Sequence, residues 1–343
     1  VSIEDSKIRE KFSNKLKLIP LCDDKGNLVD VADVLKSHRI PIMEPTLNGN
    51  EMKYVQECIS TNWISSQGKY VSLFESSITT LLDNKYQSLA VSSGTSALFL
   101  ALKSLDIGEG DLVAVPSLTF AATVNAIIHT GASPIFIDVD KHTWCITPET
   151  IKPALSYGIK ALISVDLYGN SCDSEAIKLI AKKHNFWFIE DAAEAFFSKY
   201  KNFFLGTIGD IGCFSLTASK IITTGQGGVI VTNNSKIYKK IKLLKNQGVL
   251  GQSDGGDVKH ITEGYNFKYT NLQAAMGLAQ LETIEKRITK LKKNNSLYRS
   301  KLKNLKNFKI LDFNYSNGEV PLWTDVYVKE NRNELISFLK KRG

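Results

Sequence analysis

From about Pro45 onward the chain alternates between short apolar runs and longer amphipathic stretches. Leu89–Ser92, Leu112–Val115, Ser133–Val139, Ala161–Val165, Trp187–Ile189, Cys213–Ser215 and Gly228–Thr232 are short, apolar and largely uninterrupted by charge. Such runs suit strands buried on both faces. Helical periodicity lies between and before them, at Glu51–Thr61, Thr95–Leu105, Ala121–Thr130, Thr147–Leu155, Asp173–His184 and Ser235–Asn246. Asn48-Gly49-Asn50 offers an N-cap for the first of these helices. Strands alternating with helices predict a mostly parallel sheet covered on both faces. Further on, Tyr269–Asn304 predicts one long helix or two, Val320–Val328 a strand and Arg332–Arg342 a helix. The sequence shows no internal repeat and no low-complexity tract.

Residues 1–43 stand apart. Leu18–Val31 predicts a strand, a turn at Asp24-Lys25-Gly26 and a second strand. The segment resembles the last hairpin of a cystathionine-β-synthase-type module. Half of such a module does not make an adenosine site, so the segment is expected to be a remnant or a linker.

A length of 343 residues suits one large α/β domain with a smaller appendage. With 43% apolar and 23% charged residues the chain has an ordinary globular composition, which excludes disordered and fibrous classes. No apolar run is long enough for a membrane span. Val1-Ser2-Ile3-Glu4-Asp5 lacks the pattern of a signal peptide, so a cytoplasmic location is expected. Val1 in place of Met predicts numbering that starts inside a longer chain or after processing. The five cysteines are scattered, odd in number and without a C-x-x-C pair, so reduced thiols are expected, with neither a disulfide framework nor a metal site. The net charge of +8 raises a nucleic-acid reading. However, the basic excess sits in Lys236–Lys245 and Glu285–Lys306, which read as solvated helix faces, and no nucleic-acid motif or aromatic platform accompanies it.

Four segments carry chemistry. Ser92-Ser93-Gly94-Thr95-Ser96-Ala97 leads from a strand into a helix, and small residues at a helix N-terminus let a phosphate approach backbone N–H groups. Glu190, Asp191 and Glu194 follow the apolar run Trp187–Ile189, at the carboxyl edge where open α/β sheets bind ligands. A carboxylate there can hold a pyridine nitrogen protonated by a charge-assisted hydrogen bond, although it can equally be a helix cap. Lys220 lies between an apolar strand and the Gly-rich turn Gly225–Gly228. A lysine that is partly desolvated near a cation can serve as nucleophile and then as base. Gly264–Ala275 reads, from its residues alone, as a capped loop before a helix.

Taken in order, G-T-S-A (Gly94–Ala97), P-S-L-T-F-A-A-T-V-N-A (Pro116–Ala126), E-D-A-A-E-A (Glu190–Ala195), F-S-x-x-x-x-K-I-I-T-T-G-x-G-G (Phe214–Gly228) and G-Y-N-F-x-x-T-N-x-Q-A-A (Gly264–Ala275) resemble the DegT/DnrJ/EryC1/StrS family of sugar aminotransferases, from about Pro45 to Gly343. The resemblance implies the α/β aspartate-aminotransferase fold (fold type I). It would comprise a large domain over 44–265, bearing the central sheet and binding pyridoxal 5′-phosphate, and a smaller C-terminal α/β domain over 266–343. Family members continue beyond the position of Gly343, so this second domain is expected to be truncated. By the same resemblance Lys220 matches the Schiff-base lysine and Asp191 the partner of the pyridine nitrogen. Glu194 matches the position near the ring hydroxyl, and Gly94, Thr95 and Ser215 match phosphate ligands. Phe120 matches the ring-stacking aromatic, and Asn266 a residue that reaches the phosphate of the neighbouring subunit's cofactor, which implies a homodimer.

The implied reaction moves an amino group from L-glutamate to the C4 ketone of a nucleotide-linked 4-keto-6-deoxy sugar. Gly49–Tyr70 and K-I-I-T-T-G resemble members that aminate GDP-4-keto-6-deoxy-D-mannose to GDP-perosamine. A UDP-linked 4-keto-6-deoxy-N-acetylhexosamine is the alternative, and a non-catalytic homologue a second. A diffuse positive potential would help to attract such an anionic substrate. Dehydratases of the family carry His where this chain has Lys220. Two departures from the family pattern bear on the site. Leu216-Thr217-Ala218-Ser219 is unusual before the lysine, and Phe196-Phe197-Ser198 replaces small residues and is expected to crowd the site.

Overall fold

The computed structural model describes residues 18–33, 43–249 and 259–342. They fall into two compact units. One draws on residues up to Glu44, Leu305–Lys309 and Tyr327 onward; the other comprises Pro45–Asn304 and Ile310–Val326.

In chain order the elements are β1 (Leu18–Cys22), β2 (Leu28–Asp33), α1 (Glu51–Ser60), α2 (Lys69–Leu81), β3 (Gln87–Val91), α3 (Gly94–Ser104), β4 (Leu112–Pro116), α4 (Ala121–His129), β5 (Ser133–Ile137), α5 (Pro148–Leu155), β6 (Ala161–Val165) and α6 (Ser174–His184). They continue with β7 (Trp187–Asp191), β8 (Lys199–Tyr200), β9 (Phe203–Phe204), β10 (Ile211–Ser215), β11 (Gly228–Thr232), α7 (Ser235–Leu244), α8 (Asn271–Glu282), α9 (Ile284–Leu302), β12 (Phe308–Ile310), β13 (Val326–Val328) and α10 (Arg332–Arg342).

In the smaller unit β1 and β2 form the predicted antiparallel hairpin, with Ile19, Leu21 and Ala32 buried together. The larger unit is built on a seven-stranded sheet of order β3-β11-β10-β7-β6-β4-β5. Only β11 runs antiparallel to its neighbours; the other pairings are parallel, as the alternation of apolar runs and helices predicts. Every residue of β6, β10 and β11 is buried, which is why their sequences are apolar runs without alternation. Because α3 packs against β10, β11, α4 and α7, it too is apolar on nearly every side. No helix among the described residues is long and apolar enough to cross a membrane.

The structure revises three local expectations and decides a fourth. The helix α2 was not predicted, although Tyr70, Phe74 and Ile78 form its buried stripe. Asn50 precedes α1 without capping it: its oxygen accepts no N–H of the first turn, and its amide is turned to donate to the Glu282 carboxylate at 2.7 Å. Tyr269–Asn304 holds two helices, parted at Thr283. The strand expected over Val320–Val328 is confined to Val326–Val328. Pro321 supplies no N–H to a ladder, and its neighbours bond elsewhere: Val320 N–H donates to Ser198 Oγ (3.0 Å) and Leu322 N–H to the Tyr168 carbonyl (2.9 Å).

Two carboxyls are sealed beneath the sheet edge. Glu190 is fully buried and accepts the N–H groups of Gly206 (3.2 Å), Ile208 (2.7 Å) and Gly209 (2.6 Å). Burial still pushes its carboxyl up from 4.5 to about 7, against the pull of those donors. Asp166, equally buried, is raised by burial and by the charge of Glu190. A carboxyl raised by folding binds its proton more tightly in the folded state. Its stabilising share is therefore complete below the unfolded pKa and lost as pH climbs through the folded one. For Glu190 that window runs from 4.5 to about 7. Apoprotein stability in urea should fall by on the order of 2 kcal/mol between pH 5 and 8 from Glu190, with Asp166 adding in the same direction. Glu190→Gln should flatten this slope; an unchanged slope in the variant would reject the assignment.

Candidate active site

The turn at the end of β3 is shaped by small residues. Gly228, the first residue of β11, pairs with Val91, the last of β3. Beyond it, Ser93 and Ser96 cap α3 reciprocally: Ser93 Oγ accepts Ser96 N–H (3.0 Å) and Ser96 Oγ accepts Ser93 N–H (2.9 Å). Two glycines make this approach possible. A Cβ on Gly94 would lie 2.9 Å from Ser215 Cβ, and one on Gly228 only 2.3 Å from the Ser93 carbonyl oxygen. The first turn of α3, with Gly94 and exposed Thr95, thus abuts Ser215 at the end of β10. Backbone N–H groups of a first helical turn have no partner within the helix and favour an anion.

Asp191 is built into the sheet rather than following it. Its backbone is in register with Val165 on β6 and Cys213 on β10, so β7 extends two residues past the apolar run. Its side chain is buried and accepts Thr123 Oγ–H (2.7 Å) and Ala193 N–H (3.2 Å). Burial raises this carboxyl above the usual carboxylate range, while those two bonds and the Lys220 charge hold it down in part. No ion pair reaches Asp191 among the described residues.

Lys220 occupies the loop that joins β10 to β11. The loop is closed by Leu216 N–H to Gly227 O (2.9 Å) and Thr224 N–H to Leu216 O (3.0 Å), and Lys220 N–H itself bonds Thr217 O (3.0 Å). The side chains of Leu216, Ile221 and Ile222 anchor it in the core. The Lys220 side chain is only 14% exposed, and its amine donates to Glu194 Oε1 at 3.1 Å. Glu194 Oε2 in turn accepts the N–H of Tyr168 (3.0 Å).

Phe120 stands at the N-terminus of α4, 78% exposed, three residues before Thr123. Asn266 is exposed on a segment tied to the larger unit by backbone: Asn266 bridges to Asn246, and the Phe267 carbonyl accepts Ser92 N–H (3.1 Å). Its side chain makes no hydrogen bond among the described residues. Thus Gly94 abuts Ser215 with Thr95 next to it in the chain, and Asp191, Glu194 and Lys220 act on one another, whereas Asn266 joins neither group by a side-chain hydrogen bond among the described residues.

Two residues of this network were not singled out from sequence. Thr123, wholly buried among the alanines and Val124 of the first turns of α4, carried a weak signal. Tyr168 carried none, because its role lies in a left-handed backbone (φ 59°) that aims its N–H at Glu194. The expected crowding by Phe196 and Phe197 gives way to burial in the core. The two rings stack on each other (4.4 Å between centroids), and Phe196 packs on Phe214 (4.5 Å).

A helix terminus ready for an anion, a buried carboxylate without a cation, and a half-hidden lysine amine together fit a pyridinium ring that carries a phosphate. This donor set is that of a pyridoxal-phosphate enzyme. The chain belongs to the DegT/DnrJ/EryC1/StrS aminotransferase family, whose model matches residues 45–343. It is a pyridoxal-phosphate-dependent aminotransferase with the fold of that class. It is 44% identical to GDP-perosamine synthase of Escherichia coli O157:H7 over 266 residues, which is 78% of this chain and 72% of the relative. Among solved structures, Helicobacter pylori PseC, an aminotransferase involved in the biosynthesis of pseudoaminic acid, superposes with a TM-score of 0.83 at 28% identity, covering 89% of this chain and 83% of that one. GDP-4-keto-6-deoxymannose-3-dehydratase (ColD) with bound GDP-perosamine gives 0.80 at 25% identity, covering 88% and 84%.

Proposed function

We propose that the protein transfers an amino group from L-glutamate to the C4 ketone of a nucleotide-linked 4-keto-6-deoxy sugar, with GDP-4-keto-6-deoxy-D-mannose as acceptor and GDP-perosamine as product. The observation that carries this reading is the Lys220 amine, held by Glu194 in the same charge network as the buried Asp191. The sugar is assigned from the likeness to GDP-perosamine synthase and to a fold that binds GDP-perosamine.

When bound, the cofactor's pyridinium ring supplies a sink for the electrons released as the α-proton leaves the donor. Lys220 would supply the amine that holds the cofactor and the base that takes the donor's α-proton and, in the second half, delivers a proton to C4 of the sugar. Glu194 orients the Lys220 amine, and Tyr168 N–H orients Glu194. Asp191, fixed by Thr123 and Ala193, holds the proton on the ring nitrogen. Gly94, Thr95 and Ser215 would receive the phosphate, and Phe120 would stack on the ring. Asn266, exposed and without a side-chain hydrogen bond among the described residues, serves the phosphate site of a neighbouring subunit in a homodimer.

The test is to incubate the protein with pyridoxal phosphate and L-glutamate and offer GDP- and UDP-linked 4-keto-6-deoxy sugars in parallel. The GDP-linked sugar should gain an amine by product mass, with 2-oxoglutarate formed in equal amount. Amination of the UDP-linked sugar alone would move the assignment to that substrate. A colourless protein that takes up no pyridoxal phosphate would remove the reading altogether.

A further inference from the structure

A cofactor seated as proposed above is held at two ends, its phosphate by the first turn of α3 and its ring by the Lys220 amine. One short segment, Phe267–Tyr269 just ahead of α8, is fastened to both supports. The Phe267 carbonyl accepts Ser92 N–H (3.1 Å), and Lys268 bridges to Val91, the last residue of β3. One residue further on, the Tyr269 hydroxyl donates to Thr224 Oγ at 2.6 Å, and the Thr224 hydroxyl donates to the Gln226 carbonyl at 2.7 Å. Thr224 and Gly227 are the residues through which the Lys220 loop closes on Leu216. The Tyr269 ring backs that closure directly: a Cβ on Gly227 would stand 2.8 Å from both Tyr269 Cε2 and Thr224 Oγ. Tyr269 is 1% exposed and stacks on Phe74, with 5.8 Å between centroids. Burial raises its hydroxyl further above the ordinary tyrosine range, so it stays a donor at working pH.

A lysine that serves as tether and base works only within a narrow geometry, since a misplacement of about 1 Å can cost about a hundredfold in rate. The backbone from Lys220 to Thr224 leaves little slack, because Ile221 and Ile222 between them are buried in the core. The Tyr269–Thr224 bond therefore ties the lysine loop to the phosphate turn by way of Phe267 and Lys268. We propose that Tyr269 is a positioning residue for the amino transfer: its hydroxyl, through Thr224, fixes the distance between the Lys220 amine and the phosphate-receiving turn of α3. Tyr269 acts through Thr224, not by touching the reactants. The inference rests on the role of Lys220 proposed above and is independent of which sugar is aminated.

The test compares Tyr269→Phe, which removes the hydroxyl and keeps the ring, with Thr224→Val and the double variant. In the apoprotein, deuterium exchange at the Leu216 and Thr224 amides, whose bonds close the loop, should speed up about tenfold in Tyr269→Phe. In the holoenzyme, conversion by L-glutamate is followed through the absorbance of the bound cofactor. Its limiting rate should fall about tenfold, with the half-saturating glutamate concentration within about twofold. The double variant should be no slower than Thr224→Val alone, because the two hydroxyls act as one unit, and Thr224→Ser should keep the wild-type rate. Ile151→Val, a mild cavity in a separate core cluster, controls for lost stability: it should melt lower and react at the wild-type rate. An equal slowing in Ile151→Val, or a wild-type limiting rate in Tyr269→Phe, would overturn the inference. If the wild type is converted by glutamate yet aminates neither the GDP- nor the UDP-linked sugar, the sugar assignment fails, while Tyr269→Phe still decides this inference. A wild type that takes up no pyridoxal phosphate removes the proposed function and this inference with it.

Discussion

Lys220→Ala should reduce turnover by about 10⁴-fold or more, since it removes both the covalent tether and the proton carrier. No other lysine amine bonds Glu194 among the described residues. That of Lys220 is brought to Glu194 by a loop whose ends are locked between β10 and β11 and whose core is Leu216, Ile221 and Ile222. Lys220→Arg should fail equally, because a guanidinium stays protonated at working pH and cannot attack a carbonyl. The variant should still fold: the Lys220–Glu194 pair is largely buried, so Glu194 loses its charge partner and some stability is lost, but Glu194 keeps its bond from Tyr168 N–H. The measurements are product mass after incubation with glutamate and sugar, the absorption band of the lysine-linked cofactor, and thermal melting. A variant that keeps both the wild-type band and wild-type turnover would strip Lys220 of its role.

Lys220 was legible because its neighbours were. An apolar strand before it and Gly225–Gly228 after it mark a turn at the sheet edge, and the ordered motifs around it resemble one family. Asp191 was legible as an acid at the end of an apolar run, although the sequence placed it after the strand and the structure sets it in the last rung. What stayed hidden depends on backbone direction or long-range contact. Nothing in the composition of Leu167-Tyr168-Gly169 reveals that Tyr168 adopts φ 59° and turns its N–H toward Glu194. The Val, Leu, Trp and Tyr of Val320–Val328 suggested a strand; only the pinning of Val320 to Ser198 and of Leu322 to Tyr168, residues far away in sequence, brings its first half beside Tyr168. The large unit was legible at the level of sheet and layers because periodicity records burial. The omission of α2 shows the limit of that record: its stripe was present, but Ser and Thr between the buried positions obscured it.

Asp191→Asn should lower kcat by about 10²–10³-fold, the range seen when one preorganised electrostatic partner of a transition state is lost. Asparagine is nearly isosteric: its one oxygen can keep the bond from Ala193 N–H while its amide donates to Thr123 Oγ, so the packing around β7 is kept. It carries no charge, and the proton on the ring nitrogen loses the partner that holds it there. The same change should have the opposite effect on the empty protein. Asp191 is raised by burial, so its stabilising share is complete below the unfolded pKa and lost as pH rises through the folded one. Once ionised, the buried carboxylate weighs against folding until a cation meets it. The variant apoprotein should therefore melt higher than wild type at pH 8 and close to it at pH 4, while pyridoxal phosphate stabilises it less than it stabilises wild type. If Asp191 merely supported the sheet, the substitution would lower activity and apoprotein stability together at every pH. Melting curves of the two apoproteins across that pH range, with and without the cofactor, distinguish a carboxylate that awaits a cation from one that only fills space.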